Sequence, residues 1–173
     1  IIMTLHATHQ LSKASVGLMV GIFCILVGYN NIVDYNTNFQ FVQHVLKMDS
    51  MQPWFQGDLL KSRSINSEIL IQLCYWLIIA GELIAGIFCT GGALIMLRNM
   101  RKSQFELGQS LYLIGGTVAL LIWYFGFAVI GAEWFQMWAN KWNGQMKAYS
   151  FICFIILTMV YVASPSAKPI SNQ

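Results

Sequence analysis

The stretch from Ile69 to Leu97, ILIQLCYWLIIAGELIAGIFCTGGALIML, carries one charged side chain, Glu82. A run of that length and apolarity exceeds the roughly 20 residues that cross a bilayer as a helix, so it reads as a span that tilts or projects its last turns into water. Three further apolar runs, about 14–33, 107–132 and 147–163, approach or exceed the same requirement. Of the 173 residues, 57% are hydrophobic and 10% charged, far below the roughly one quarter charged residues of a soluble domain. The fold class that follows is all-α, a polytopic membrane protein of four transmembrane helices forming one domain over residues 1–173. No gap between spans is long enough to bury a separate soluble catalytic core.

Between the first two spans lies a polar segment, 34–66. Phe39, Phe41, Val42, Val45, Leu46 and Met48 form a helical apolar face with Gln40, Gln43, His44 and Lys47 between them, which predicts an amphipathic interfacial helix. Pro53 and Gly57 break it, and Trp54 beside the break has the place of an interfacial anchor. Asn66, Ser67 and Glu68 precede the second span as a predicted amino-terminal cap. The third span ends in an aromatic belt of Trp134, Trp138 and Trp142, a density expected at headgroup level. At the two ends, a polar lead with His6, His9 and Lys13 starts at Ile1 rather than Met, which suggests a processed or trimmed end. A polar tail, 164–173, follows the fourth span, with Pro165 and Pro169 excluding further helix.

Small residues recur at helical spacing. Gly17, Gly21 and Gly28 smooth one face of the first span, while Gly81 and Ala85 with Cys89, and Gly86 with Thr90, smooth two faces of the second, so both spans predict close helix packing.

The net charge of +3 is read as a topology signal and not as a nucleic-acid footprint. Arg98, Arg101 and Lys102 form the densest basic cluster, which places both termini on the cytoplasmic or matrix side of an inner membrane. Lys47, Lys61, Arg63, Lys141 and Lys147 on the opposite side equal the inside set of Lys13, Arg98, Arg101, Lys102 and Lys168, so the preference rests on the short second loop. The four cysteines, Cys24, Cys74, Cys89 and Cys153, fall within apolar runs, with no disulfide framework or metal-ligand spacing. All three histidines lie outside the spans, which disfavours a bis-His haem. Nucleophile elbows, phosphate loops and HExxH are absent, and no catalytic, cofactor or metal residue is assigned.

Glu82 is the one charge near the middle of a span and must face protein or water. It reads either as a clamp hydrogen-bonded to neighbouring helices or as a titrating carboxylate of a proton or ion path. Asp34 and Glu133 occupy corresponding places just after a span, each next to an aromatic residue, a hint of a two-plus-two pseudo-repeat. With Asn30, Asn31, Asn36 and Asn38 they outline an outer-rim polar group that serves as caps and turns or as a site.

The run from Asn30 to Asp49, NNIVDYNTNFQFVQHVLKMD, together with Glu82, the segment GAEWFQMW from Gly131 to Trp138 and WNGQ from Trp142 to Gln145, resembles the bacterial predicted small integral membrane proteins of domain of unknown function 2165. The resemblance covers about 14–163. It implies four spans and draws notice to Asp34, His44, Asp49, Glu82, Glu133, Trp134, Trp142 and Asn143, without a role, activity or cofactor for any of them. The functional expectation is a non-catalytic accessory subunit of a larger inner-membrane complex, respiratory or otherwise energy-transducing, bacterial or mitochondrial, bound through its smooth helix faces among membrane lipids and other integral membrane subunits. The alternatives are a proton-coupled transporter or channel module using Glu82 with Gln72, Thr90 or Thr117, and a lipid- or quinone-binding helper near Trp123 and Tyr124. No cofactor is expected beyond a bound phospholipid.

Overall fold

The computed structural model of the chain describes residues 4–166. Helix α1 runs over Leu5–Val33 and α2 over Tyr35–Lys47, followed by a 3-10 turn at Asp58–Arg63. Helix α3 spans Glu68–Arg98. Helix α4, Phe105–Leu120, continues without a break into a π-helix over Leu121–Trp134, where N–H groups reach back five residues, as Phe135 N–H does to Ile130 O at 3.0 Å. A 3-10 turn at Met137–Ala139 leads to α5, Gln145–Ala163. Four of these segments are long and apolar enough to cross a membrane: Leu5–Val33, Glu68–Arg98, Phe105–Trp134 and Gln145–Ala163.

The first helix begins nine residues earlier than the apolar run predicts. Thr4 starts it, its hydroxyl accepting the Ala7 N–H at 3.3 Å, so His6, His9 and Lys13 belong to the helix and not to a polar lead. The third span likewise extends to Phe105 and Trp134. The interfacial helix forms as α2, burying Val42 and Val45, and stops at Met48, whose left-handed backbone (φ 50°) turns the chain away. Ser67 does occupy the N-cap position of α3, but its side chain makes no capping hydrogen bond. Of the predicted tail, Lys168 and Pro169 lie outside the described residues.

Helix α3 is the centre of the bundle, packed along α1 on one side and α4 on the other, while α5 rests on α4, α1 and the π-helix. Small residues explain the closeness of the α1–α3–α4 contacts. A Cβ on Gly21 would stand 2.4 Å from Thr90 Oγ1 and 2.6 Å from Thr90 N, so α1 and α3 touch nearly backbone to backbone. Gly92 and Gly108 bring α3 and α4 together in the same way, each Cβ falling within 2.7 Å of the other's carbonyl oxygen. Around them Ala14, Cys24, Ala85, Cys89, Ala93 and Tyr112 are buried.

The bundle has two unlike ends. At the terminal end Lys13 is fully buried, and its ammonium donates to the Ser164 carbonyl while Gln109 Nε2 donates to Val162 O. A cation at the last carbonyls of α5 satisfies acceptors the helix itself leaves unpaired. Gln10 Oε1 accepts the Arg101 N–H at 2.8 Å and fastens the α3–α4 turn to α1. At the loop-bearing end, Val45, Met48, Ala132, Phe135 and Met137 form a second core under α2. The chain on either side of that core is tied by an antiparallel bridge between Met51 and Asn140, with Gln52 N–H bonded to Ala139 O at 2.8 Å and Lys141 N–H to Ser50 O at 2.9 Å.

Candidate functional site

Asn31 lies near the end of α1, where helix carbonyls lose their intrahelical donors. Tyr75 from α3 supplies the missing donor, its hydroxyl reaching Asn31 O at 3.2 Å. The Asn31 side chain is committed at both ends, Nδ2 donating to Glu82 Oε2 at 2.7 Å and Oδ1 accepting from Asn38 Nδ2 at 2.7 Å. Three helices therefore fix one carboxylate: α3 carries it, α1 orients it, and α2 orients the orienter. Glu82 is buried, and its partner is Asn31, not Gln72, Thr90 or Thr117. Gln72 is exposed, and the exposed Thr117 hydroxyl bonds Leu113 O of its own helix.

Glu82 borders a cavity of about 550 Å³. Asn30, Asn31, Asn38 and Asn143 share the lining with Lys141 and Lys147, and its aromatic walls are Phe41, Tyr75, Trp123, Phe127, Trp142 and Phe151. All of the lining residues come from the loop-bearing half, from Val27 on α1 to Phe151 on α5, and none from the terminal end. Beyond Glu82, towards the termini, Cys24, Ala85 and Cys89 are fully buried, so the cavity has a floor. Stacked Phe41 and Phe127 rings, 6.1 Å between centroids, separate it from a second, almost wholly apolar cavity of about 730 Å³ between α2, α3 and the π-helix.

The remaining outer-rim residues divide. Trp142 forms one wall and stacks on His44, with centroids 5.0 Å apart and planes 14° from parallel. His44 Nδ1 lies 2.7 Å from Asp49 Oδ1. Asn140, which the sequence did not single out, is buried and holds that pair in place: Nδ2 donates to His44 O at 3.1 Å and Oδ1 accepts the Trp142 N–H at 2.9 Å. Asn143 Oδ1 accepts the Gln145 N–H at the start of α5. Asp34 and Glu133 are exposed, border neither cavity, and are followed by dissimilar structure, α2 in one case and a 3-10 turn in the other.

Of the aromatic anchors, Trp54 stacks on Trp138 at 5.9 Å, and the Arg63 guanidinium sits 4.4 Å over the Trp134 ring. Trp54, Trp134 and Trp138 stay exposed at the loop-bearing end, as interfacial residues do. The smooth faces are filled from within the chain. Gly17 abuts Tyr112, Gly28 abuts Leu83 and the Glu82 Cβ, Gly81 abuts Ile122, and Gly86 abuts Ile25, while Ala85 is buried. The four cysteines are free, and among the described residues no three His, Cys, Asp or Glu side chains gather as metal ligands.

Sequence reasoning missed Tyr75, Asn140 and the mouth lysines as parts of one arrangement with Glu82, and at the other end it missed the burial of Lys13. Lys141 and Lys147 entered only as topology charges, and their six-residue spacing around WNGQ was the available signal.

These features define an all-helical integral membrane protein in which the buried Asn31 and Glu82 border one cavity. The chain belongs to the family described as predicted small integral membrane protein (DUF2165), which it matches over residues 9–165. No curated protein and no solved structure matches it.

Proposed function

We propose that this protein is a non-catalytic helper of an inner membrane that binds a small polar or amphiphilic molecule in the cavity above Glu82. The observation that carries the reading is the cavity's construction: a volume within the 300–1,000 Å³ typical of ligand sites, apolar walls, and a few polar groups oriented by other side chains. Its opening at the loop-bearing end would face outward if the basic α3–α4 turn faces inward. The test is mass spectrometry of small molecules retained by the full chain after mild extraction. A compound held by the wild type and lost from Val27→Phe, which fills the cavity from α1, supports binding there. Identical profiles for the two proteins would overturn it.

Membership of a larger, energy-transducing inner-membrane complex remains a companion proposal, because a helper needs a client. Its support has shifted from the glycine faces, which are filled internally, to Gly91 on α3, whose Cβ position meets nothing within 4 Å and leaves room for a neighbouring helix. Copurification of further membrane subunits with the native chain, diminished by Gly91→Leu, is the expected result. Recovery of this chain alone counts against it. A proton-coupled transport role for Glu82 has less support, since the cavity opens toward one end of the bundle only.

A further inference from the structure

Three features of the cavity differ along its depth. At the floor, Glu82 Oε2 is taken by Asn31, while Oε1 has no hydrogen-bond partner among the described residues. No Lys or Arg lies beside it, the only basic residues of the lining being Lys141 and Lys147, which are exposed and flank the loop leading into α5. Between floor and mouth the walls are predominantly aromatic, with Trp123 and Tyr75 buried.

Each feature selects part of a ligand. A carboxylate buried without a cation favours a positive charge in the ligand. Aromatic faces attract such a charge, and an ammonium already clothed in methyl groups gives up the least hydration to reach them. A primary ammonium brings three N–H donors and would find one unpartnered carboxylate oxygen at the floor, leaving donors unmet, whereas a methylated ammonium has few or none to satisfy. An inorganic cation would need several converging oxygen ligands, and the amide nitrogen of Asn31, not its oxygen, points at the carboxylate. The two lysines repel a simple cation at the entrance but pair with an anionic group that remains there.

We infer that the cavity binds a methylated-ammonium zwitterion of the betaine or phosphocholine type, with the ammonium on Glu82 between aromatic walls and the anionic end at Lys141 and Lys147. This rests on the cavity being a binding site, the reading proposed above. The same chemistry is offered by a free solute or by a lipid headgroup, and the two sources are separable.

The experiment uses the full chain in nanodiscs of phosphatidylglycerol, which lack choline, and follows thermal unfolding during titration with phosphocholine, glycine betaine, choline and phosphoethanolamine. A phosphocholine- or betaine-dependent rise in the midpoint is expected, with choline and phosphoethanolamine weaker by about tenfold or more. Glu82→Gln should weaken phosphocholine binding by about tenfold or more, and Lys141→Ala combined with Lys147→Ala should erase the preference of phosphocholine over choline. A rise only when phosphatidylcholine replaces part of the bilayer, lost in Glu82→Gln, identifies the lipid headgroup as the source. Equal binding by wild type and Glu82→Gln, equal affinity for choline and phosphocholine, or no response to any probe or to phosphatidylcholine overturns the inference. If Glu82→Gln does not fold, the lysine pair, which is exposed, decides. A different compound retained by the wild type and lost from Val27→Phe would leave the cavity reading standing while this one fails.

Discussion

Asn31 and Glu82, 51 positions apart in the chain, meet at 2.7 Å inside the bundle, and the amide that holds the carboxylate is itself held by Asn38 while Tyr75 holds the Asn31 backbone carbonyl. A polar contact that joins α1, α2 and α3 in this way both satisfies a buried acid and sets where its free oxygen points. Replacing both partners should then cost less than the two single replacements added together.

Asn31→Leu should cost about 1–3 kcal/mol, because it leaves the carboxylate and the Asn38 amide without partners. Glu82→Gln should cost less, since an amide oxygen still accepts from Asn31. The double substitution Asn31→Leu with Glu82→Leu should be less destabilising than the sum of its parts, a coupling of about 1 kcal/mol on the scale of interhelical hydrogen bonds in membranes. Unfolding in bicelles of the wild type, Asn31→Leu, Glu82→Leu and the double variant completes the cycle, and strict additivity would show that the contact is not made.

Two glycines on neighbouring helices should respond in opposite directions. Gly21→Ala places a methyl 2.4 Å from Thr90 Oγ1 and 2.6 Å from Thr90 N, so α1 must move off α3, at a cost of about 1–3 kcal/mol. Gly91→Ala adds its methyl to open space and should be neutral or stabilising by up to about 1 kcal/mol through helix propensity. Thermal melting of the two variants side by side separates a packing contact from a general intolerance of added bulk.

Lys13 is a fully buried cation at the C-terminal end of α5. Lys13→Met keeps the length and apolar stem but removes the donor, leaving the Ser164 carbonyl unmet, and should cost about 1–3 kcal/mol. Hydrogen exchange would report it locally, with faster exchange in the last turn of α5 and little change in α3. Uniformly faster exchange would mean that Lys13 supports the fold elsewhere.

The span count was legible because bilayer crossing is a constraint on local composition, and no long-range information is needed to see that 69–97 is apolar. The start of α1 was not, because Lys13 reads as a solvent charge until the Ser164 carbonyl 151 residues later is known to meet it. Gly21 and Gly86 were legible as small residues, but their neighbours, Thr90 and Ile25, lie on other helices and turned an expected external seam into an internal one. Glu82 was visible as a lone charge and Asn31 as one of four rim asparagines, yet nothing in their spacing links them. The π-helical register of 121–134 has no pattern by which apolar periodicity distinguishes it from α in so uniformly hydrophobic a stretch.

The cavity wall formed by Trp142 depends on a residue that does not line the cavity. Asn140 is almost completely buried and joins the α2 side of the loop-bearing end to the α5 side through His44 O and the Trp142 N–H. Asn140→Ala strands both backbone groups and should cost about 1–3 kcal/mol, whereas Asp49→Ala removes only exposed or partly exposed contacts with His44 and Ser50 and should cost at most about 1 kcal/mol. Limited proteolysis gives the more specific readout. Once the Asn140 tie is lost, the 48–57 and 135–144 segments should be cut faster, while the four spans stay protected by the bilayer and the Asp49→Ala variant digests like wild type. Equal protection of the Asn140→Ala loops would mean that the Met51–Asn140 bridge and the core around Met137 hold this end together without the side chain, and the wall would then be set by backbone pairing alone.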